Sequence, residues 1–244
     1  MLGKYSFKPS LLALALVFIL VPLFVSLAFW QLRRAEEKEQ FKLQSASQAA
    51  QIALQGRDIL ESPSSSLRFR SVALEGTFDR DHQFLLDNQM QSGRPGYHVL
   101  APFRVDGLNL SILINRGWIP MGIDRAQMPD LRGLPEARVL IRGKIDFLHR
   151  VGFRLKGMEQ PSLGWPSVVQ LPEPEPLGQR LGYPLADFQV LLDPAEPGGF
   201  DYPLKSEALD SVRNRAYALQ WFLFALATLI LFLRASLHSR KNSS

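Results

Sequence analysis

Side chains that could bind a metal or transfer a proton are few in this chain and lie far apart along it. The chain has no cysteine, which excludes thiolate metal sites, disulfides and thiol redox chemistry. His82, His98 and His149 lie in its central part, and no two of them have the spacing that places metal ligands on one helix. Asp79 and Asp81, just before His82, are typical of a turn. Two interpretations stay open: structural histidines, or ligands of a metal ion or of haem iron.

Known catalytic motifs are also missing from the sequence. It contains no Gly-x-Ser-x-Gly, no His-Glu-x-x-His and no phosphate-binding glycine loop. Scattered serine and aspartate residues carry no signal by themselves. We therefore expect no catalytic residue and no metal site, and we expect a role in binding or assembly. The alternative is a membrane-tethered lipid- or ligand-binding module, or an enzyme of unrecognised type.

A first set of candidate residues, Asn115, Arg116, Gly117 and Trp118, directly follows the apolar run of residues 112–114. Charged and aromatic groups at the end of a strand can face a ligand or a partner, and the glycine permits close backbone approach. In the other interpretation, the same residues form a cation–π contact or a β-bulge that closes a barrel.

A second set of candidates lies where two long apolar segments meet the middle of the chain. These residues are Trp30, Gln31 and Arg34 beside the first segment, and Arg213, Asn214, Tyr217 and Trp221 beside the second. In one interpretation the aromatic side chains form a belt at a membrane–water interface. In the other, the two helices enclose a pocket lined by Arg34, Arg213 and Arg215. Such a pocket suits an amphipathic anion, such as haem with its propionates or a lipid head group.

The two apolar segments must position this second set, and both are long enough to cross a membrane. Residues 9–32 and 216–233 contain no charged side chain. As helices rising ~1.5 Å per residue they would measure ~36 Å and ~27 Å, against ~30 Å of hydrocarbon in a bilayer. The first segment ends in Trp30, Gln31 and Leu32 rather than in small residues, which favours an uncleaved anchor over a signal peptide. We therefore predict two transmembrane helices.

The formal net charge of +5 resides entirely in the tails outside these segments. Five of the 28 basic residues lie in the tails, which leaves 23 basic and 23 acidic residues in the formally neutral part from 33 to 215. This distribution gives no sign of a nucleic-acid partner. Basic tails favour the cytoplasmic side, whereas Arg33, Arg34, Lys38 and Lys42 favour the opposite orientation. Because long loops cross membranes largely regardless of their charge, we expect both termini in the cytoplasm.

The expected fold class is an α+β membrane protein, with two terminal transmembrane helices flanking a mainly antiparallel, barrel-like β domain outside the membrane. The predicted divisions are a cytoplasmic tail (1–10), a transmembrane helix (11–32), a juxtamembrane helix (33–61), a periplasmic β domain (62–212), a second transmembrane helix (213–233) and a cytoplasmic tail (234–244). Residues 33–55 lack proline and glycine and are rich in Ala, Glu, Gln and Lys, which predicts a helix continuing out of the membrane.

Short apolar runs separated by turn residues predict the strands of the β domain. The predicted strands cover residues 68–78, 83–86, 97–103, 110–115, 138–147, 168–171 and 188–192. Asp106 and Gly107 indicate a hairpin turn between two of them, and closely spaced strands favour an antiparallel arrangement. The proline-rich residues 172–176 are expected to be extended and solvated.

In combination, these motifs resemble the surfeit locus protein 1 family over nearly the whole chain. The matching residues are Trp30, Gln31, Leu32, Arg34 and Lys38; Gly76 and Phe78; Asn88, Gly93, Gly96, Tyr97 and Pro102; Asn115, Arg116, Gly117, Trp118, Ile119 and Pro120; and Tyr217, Ala218, Trp221 and Phe222. Each block alone is weak. Their order, their spacing and their placement between two terminal spans make the resemblance specific.

The resemblance implies an assembly factor for haem–copper terminal oxidases such as cytochrome c oxidase. Members of this family help haem to reach the large oxidase subunit or hold an assembly intermediate of that subunit. The implied partners are the large subunit, other assembly factors and the lipid bilayer, with no nucleic acid. The implied location is the inner membrane of a bacterium, with the central domain in the periplasm.

Two positions depart from the pattern of the family. Its members often have Asn-His three residues before the tyrosine of the second helix, and the histidine is implicated in haem binding; here the aligned residues are Arg213 and Asn214. An early Asn-Arg of the family is Asn88 and Gln89 in this chain. An asparagine cannot ligate haem iron as imidazole does, so haem stays open as a cofactor. The chain either acts without haem or holds it by contacts other than iron ligation.

Overall fold

The computed structural model describes residues 5–122, 128–131, 133–148, 157–200 and 207–239. The chain divides into two compact units. The helical unit takes both ends of the chain, residues 1–43 and 205–244, and the β unit takes residues 44–204. His149 lies outside the described residues, as do Lys4, Arg240 and Lys241.

Two long helices, α1 (Leu11–Ala49) and α5 (Glu207–Ser236), make up most of the helical unit. Both are long and apolar enough to cross a membrane. Only 6% of the most apolar window of α1 and 11% of that of α5 are buried, whereas a core helix of a soluble protein would be mostly buried. The prediction of an apolar helix at each end of the chain is confirmed.

The first helix ends at Ala49, before the end expected from composition. Side chains of the β unit bind backbone carbonyls at the end of the helix and beyond it. The Ser71 hydroxyl donates to the Ala49 carbonyl at 2.9 Å, and Arg70 Nη2 donates to the Ile52 carbonyl at 3.1 Å. Residues 54 and 55 then pair with a neighbouring strand. Helix propensity alone is a weak prior, and these contacts override it.

The two helices pack against each other in antiparallel orientation along a seam. In each helix a series of positions spaced alternately by three and four residues is buried or half-buried throughout, which is the heptad spacing of helices that pair along their length. The seam positions are Leu14, Val17, Val21, Phe24, Ala28, Gln31, Ala35 and Lys38 in α1, and Ser211, Asn214, Ala218, Trp221, Ala225, Thr228 and Phe232 in α5. The rings of Phe24 and Trp221 stack across it, with centroids 5.7 Å apart.

Two short strands pair at the end of the helix pair where α1 begins and α5 ends. Strand β1 (Tyr5–Phe7) pairs antiparallel with β10 (Leu237–Ser239), and the Lys8 amide donates to the Ser236 carbonyl at 2.8 Å. The Phe7 and Phe232 rings meet edge to face, 6.1 Å apart. The start of α1 and the end of α5 therefore lie at the same end of the helix pair.

In its described residues the β unit has eight strands and three short helices. They are β2 (Leu54–Gln55), α2 (Asp58–Glu61), α3 (Ser64–Leu67), β3 (Ser71–Phe78), β4 (Phe84–Gln91), β5 (Arg94–Val105), β6 (Ser111–Pro120), β7 (Val139–Phe147), β8 (Ser167–Val169), α4 (Pro174–Leu181) and β9 (Leu185–Leu192). Every strand predicted from the sequence corresponds to one of these, with bounds shifted by a few residues.

The strands form one closed sheet with the order β3, β7, β9, β6 and β5. It closes because β3 pairs with β7 on one side and with β5 on the other. Strand β4 extends the sheet from β5, and the hairpin at Asp106 and Gly107 joins β5 to β6. Most pairings are antiparallel, as predicted, but β2–β3, β4–β8 and β6–β9 are parallel. The barrel-like domain is confirmed, and the parallel pairs arise where the chain returns to the sheet after a long connection.

Gly76 lies at the point where β3 changes partner. It is aligned with Val139 of β7 and with Val105 of β5. A Cβ at this position would collide with the Arg104 carbonyl oxygen and would lie 2.9 Å from Cε1 of Phe103. Only glycine lets the two edges approach closely enough to close the barrel.

The expectation for residues 172–176 is wrong. Pro172 is buried, and helix α4 begins at Pro174. Proline is favoured in the first helical turn, because its missing N–H would have no partner there and its φ is already helical. Gly182 ends the helix in the left-handed conformation, with φ of 80°, and its amide donates to the Gly178 carbonyl.

Candidate functional site

Among the residues that the structure describes, Arg116 has the largest fully buried side chain, with 1% of its surface exposed. Its Nε donates to the Gly198 carbonyl at 2.7 Å, and its Nη1 donates to Gln83 Oε1 at 2.5 Å and to the Leu131 carbonyl at 2.8 Å. The guanidinium also lies over the Phe200 ring, 4.4 Å from its centroid. Burial lowers the pKa of Arg116 to about 10, so the group stays charged at neutral pH.

These bonds make Arg116 an internal cross-link between β6 and two loops. Leu131 belongs to one loop and Gly198 to another, while Gln83 directly precedes β4. All three acceptors are neutral oxygens, which is a costly way to hold a buried charge unless every donor finds a partner. The first alternative for this block, a charged group facing a partner, does not describe the position of Arg116.

Asn115 and Gly117 shape the backbone around this arginine. Asn115 Nδ2 donates to Gln189 Oε1 of β9 at 3.1 Å, and Asn115 Oδ1 accepts the Gly117 amide at 3.1 Å. Gly117 has φ of 121°, and a Cβ there would lie 2.5 Å from the Phe200 carbonyl oxygen. The register between β5 and β6 shifts at this point, so the block forms the bulge and the cation–π contact of the second interpretation.

Trp118 is the only half-buried side chain of the block. Its indole Nε1 donates to the Gln89 carbonyl of β4 at 2.9 Å. The ring covers Gly96 of β5, where a Cβ would collide with the indole carbons. Trp118 therefore binds three neighbouring strands together, and a role in facing a partner stays a prediction for it.

His82 belongs to a hydrogen-bonded turn. Its Nδ1 lies 2.9 Å from the Asp79 carboxylate, to which the Tyr183 hydroxyl also donates at 2.6 Å. Burial alone would raise the pKa of Asp79, but the hydrogen bonds from Tyr183 and His82 hold it below its usual value. In the described part of the chain, no three His, Asp or Glu side chains are grouped as metal ligands would be.

The second set of candidates is divided between the seam and the outer surface of the helix pair. Gln31, Asn214 and Trp221 occupy seam positions. Lys38 Nζ lies 3.5 Å from Asn214 Oδ1, a long contact that joins α1 to α5. Asn214, the position of the implicated histidine in the family, is thus engaged within the pair.

The remaining members of the second set lie outside the seam. The side chain of Trp30 is 50% exposed and that of Tyr217 is 45% exposed. Arg34 forms an exposed ion pair with Glu37 at 3.0 Å, and Arg213 is exposed. The structure therefore separates side chains that hold the helices together from side chains that are presented outward.

An open cleft of about 460 Å³ lies on the β unit next to the partners of Arg116. Its lining includes Gln83, Leu131, Trp165, Asp81 and Asp130. No sequence motif points to Gln83, Leu131 or Gln189, because each is joined to the 115–118 block only through the tertiary fold.

Comparisons with known proteins agree with the resemblance seen in the motifs. A family model described as the SURF1 family, the surfeit locus protein 1 family, matches residues 18–226. A SURF1-like protein of Rickettsia felis is 25% identical over 222 residues, which cover 88% of this chain and 93% of the relative. A SURF1-like protein of Rickettsia conorii is 26% identical over 223 residues, covering 89% and 88%. The match to the family model includes most of both long helices and the whole barrel between them, and the chain therefore belongs to the SURF1 family.

Proposed function

We propose that this protein is a membrane-anchored, non-enzymatic assembly factor for a haem–copper terminal oxidase such as cytochrome c oxidase. The observation that carries the proposal is the family match over residues 18–226, which joins the helix pair and the barrel in one functional chain. The proposed site of action is the bacterial inner membrane.

The helix pair supports a double anchor in the membrane. The apolar surfaces of α1 and α5 are exposed, and lipid is the solvent that makes such exposure favourable. Antiparallel helices whose outer ends are joined by β1 and β10 require both termini on one side of the membrane. We assign that side to the cytoplasm from the basic tails, and the β unit to the periplasm.

We propose that the protein stabilises an assembly intermediate of the large oxidase subunit. The helix pair offers no imidazole for axial ligation of haem, because α1 and α5 contain no histidine, and Asn214 is in contact with Lys38. We derive no haem-transfer step through this pair. The barrel, cross-linked internally by Arg116, supplies a rigid body that can hold a folding subunit.

Deletion of the gene tests this proposal. We expect lower oxidase activity and degradation of the large subunit, both restored by the wild-type gene. Normal levels of assembled oxidase in the deletion strain, under growth conditions that require this oxidase, would contradict the proposal.

A periplasmic ligand-binding module is the second candidate. The cleft of about 460 Å³ beside Trp165 is the observation that favours it. Purification of the full chain followed by mass spectrometry of the denatured sample separates the two functions. A stoichiometric small molecule, together with unchanged oxidase assembly in the deletion strain, would favour the module.

A further inference from the structure

The two long helices present different chemistry on the two sides of their seam. Counting the heptad from Leu14 and from Ser211 as position a, Trp30 and Arg213 fall at position c, and Arg34 and Tyr217 at position g. In an antiparallel pair, a view along the seam shows one helix from its N-terminus and the other from its C-terminus. The heptad positions of the two helices therefore follow one another in opposite rotational directions. The g positions of both helices therefore lie on one side of an antiparallel seam, and the e positions lie on the other.

A ring contact provides an independent check on this assignment. Phe29 falls at position b and Phe222 at position e, so both belong to the second side. Their rings meet edge to face with centroids 5.7 Å apart. We call the first side the arginine flank, consisting of Trp30, Arg34, Arg213 and Tyr217, and the second side the phenylalanine flank, consisting of Phe29, Glu36, Glu39, Arg215 and Phe222.

The register of the pair brings the members of the arginine flank within about two helical turns of one another. Lys38 lies opposite Asn214, and Phe29 lies opposite Phe222. The same register places Arg34 opposite Tyr217. Trp30 and Arg213 are each about one turn away along their own helices. Two guanidinium groups and two half-exposed aromatic rings thus share one surface.

The two flanks differ in the number of their arginines at this level. With Glu37 at position c and Asp210 at position g, the arginine side of the seam carries two arginines and two acidic residues, a net charge of zero. The phenylalanine flank carries one arginine and two glutamates, a net charge of −1. Arg34 is paired with Glu37, but both side chains are exposed, and such a pair is weak enough to exchange for a stronger anion.

Away from these groups, the arginine flank becomes entirely apolar. On this side of the seam, the c and g positions before Trp30 in α1 are Leu16, Leu20, Leu23 and Leu27. Those after Gln220 in α5 are Phe224, Ala227 and Leu231. A cationic and aromatic end followed by a long apolar surface complements an anionic phospholipid, which has a charged head and apolar acyl chains.

We propose that the arginine flank binds an anionic phospholipid. The guanidinium groups of Arg34 and Arg213 donate to the phosphate oxygens, Trp30 and Tyr217 pack at the level of the glycerol, and the apolar positions contact the acyl chains. This inference rests on the proposed membrane insertion of both helices, and it assigns the outward-facing motif residues to a lipid instead of a haem.

A pair of double variants with equal charge change tests the proposal. Arg34→Gln with Arg213→Gln removes both cations of the flank. Arg33→Gln with Arg215→Gln is the control, because Arg33 points away from the seam and Arg215 lies on the phenylalanine flank. The full chain in detergent is titrated with phosphatidylglycerol and, separately, with phosphatidylcholine, and bound lipid is counted by native mass spectrometry.

We expect the wild type and the control to bind phosphatidylglycerol with affinities within about twofold, and the flank variant to bind it about tenfold more weakly, since charge-assisted bonds to phosphate are lost. Equal weakening in both double variants, or equal binding of phosphatidylcholine by the wild type, would overturn the proposal. A haem titration forms a separate arm: a Soret shift lost only in the flank variant, with unchanged lipid binding, would assign the flank to haem.

The result is separable from the proposed function. Lipid is counted on the purified protein, whereas oxidase assembly is measured in the deletion strain. Release of the chain from membranes by alkaline carbonate would contradict the proposed insertion itself, before any question of lipid specificity arises.

Discussion

The helical unit and the β unit use similar residue types in opposite ways. In the β unit, Arg116 is fully buried, and its Nε and Nη1 donate to three oxygens of the same unit. In the helical unit, Arg34 and Arg213 are exposed, with aromatic side chains beside them. The role of an arginine in such a motif therefore depends on whether its side chain is buried. In the β unit the block of arginine and aromatic residues stabilises the barrel, and in the helical unit it forms an exposed surface.

The largest effect expected from this comparison is the loss of Arg116. Arg116→Met leaves Gln83 Oε1 and two buried carbonyl groups without their donor, and we expect a loss of about 3–5 kcal/mol in the free energy of unfolding. Denaturant unfolding of the full chain in detergent, followed by tryptophan fluorescence, measures it. Arg94→Met, at the exposed hairpin start of β5, is the matched control. Equal stability of the two variants would show that the buried cross-link is dispensable.

The second effect concerns the closure of the barrel at Gly76. Gly76→Ala places a methyl group against the Arg104 carbonyl oxygen, and we expect destabilisation of about 1–3 kcal/mol from overpacking. Gly107→Ala is a control of a different kind, because its Cβ meets nothing within 4 Å and only its φ of 74° is unfavourable. Its expected cost is about 1 kcal/mol. A larger loss for Gly107→Ala than for Gly76→Ala in the same unfolding assay would contradict the account of closure.

The arrangement of the helix pair can be tested without background, because the chain has no cysteine. A Phe29→Cys and Phe222→Cys variant should be cross-linked within one chain by a short bifunctional methanethiosulfonate, since these rings are in contact. Trp30→Cys with Phe222→Cys places the two thiols on different sides of the seam and should not. Gel mobility before and after reduction provides the measurement. Efficient cross-linking of both pairs would refute the assignment of flanks.

The smallest effect expected is a dependence of stability on pH at Asp79. Its pKa is lower in the folded protein than in the unfolded chain, so its contribution to stability is fully present above the unfolded value near 4 and is lost as the pH falls through the folded value. Asp79→Asn should therefore be less stable than the wild type at pH 6, by about 1 kcal/mol, and the difference should shrink at pH 3. A difference that grows on acidification would show that the hydrogen bonds from Tyr183 and His82 do not stabilise the carboxylate.

Local patterns in the sequence predict the elements of this protein well, but they do not predict how distant segments meet. Apolar runs and turn residues predict the strands, and the hairpin at Asp106 and Gly107 is predictable because adjacent residues encode it. The parallel pairing of β6 with β9 was not foreseen, because it joins segments separated by the whole of β7, β8 and α4. The partners of Arg116 escaped prediction for the same reason.

The proline-rich segment shows a different limit of the sequence argument. Composition indicates an extended chain at residues 172–176. Pro174 is nevertheless compatible with the first turn of a helix, and burial of Leu177 offsets the entropy lost when this helix becomes ordered. In the helical unit, the apolar spans were evident from composition. Which of Trp30, Gln31 and Arg34 lie in the seam, and which lie on the outer surface, becomes evident only from the packing of the two helices.

Co-purification with the large oxidase subunit is the measurement that tests the central claim most directly. The full chain, tagged and expressed at its native level, is isolated from mildly solubilised membranes, and the associated proteins are quantified by mass spectrometry against an untagged strain. The account predicts strong enrichment of the large subunit of a terminal oxidase, and greater enrichment when a later assembly step is blocked. A membrane-integrated chain that enriches no oxidase subunit under either condition would contradict it.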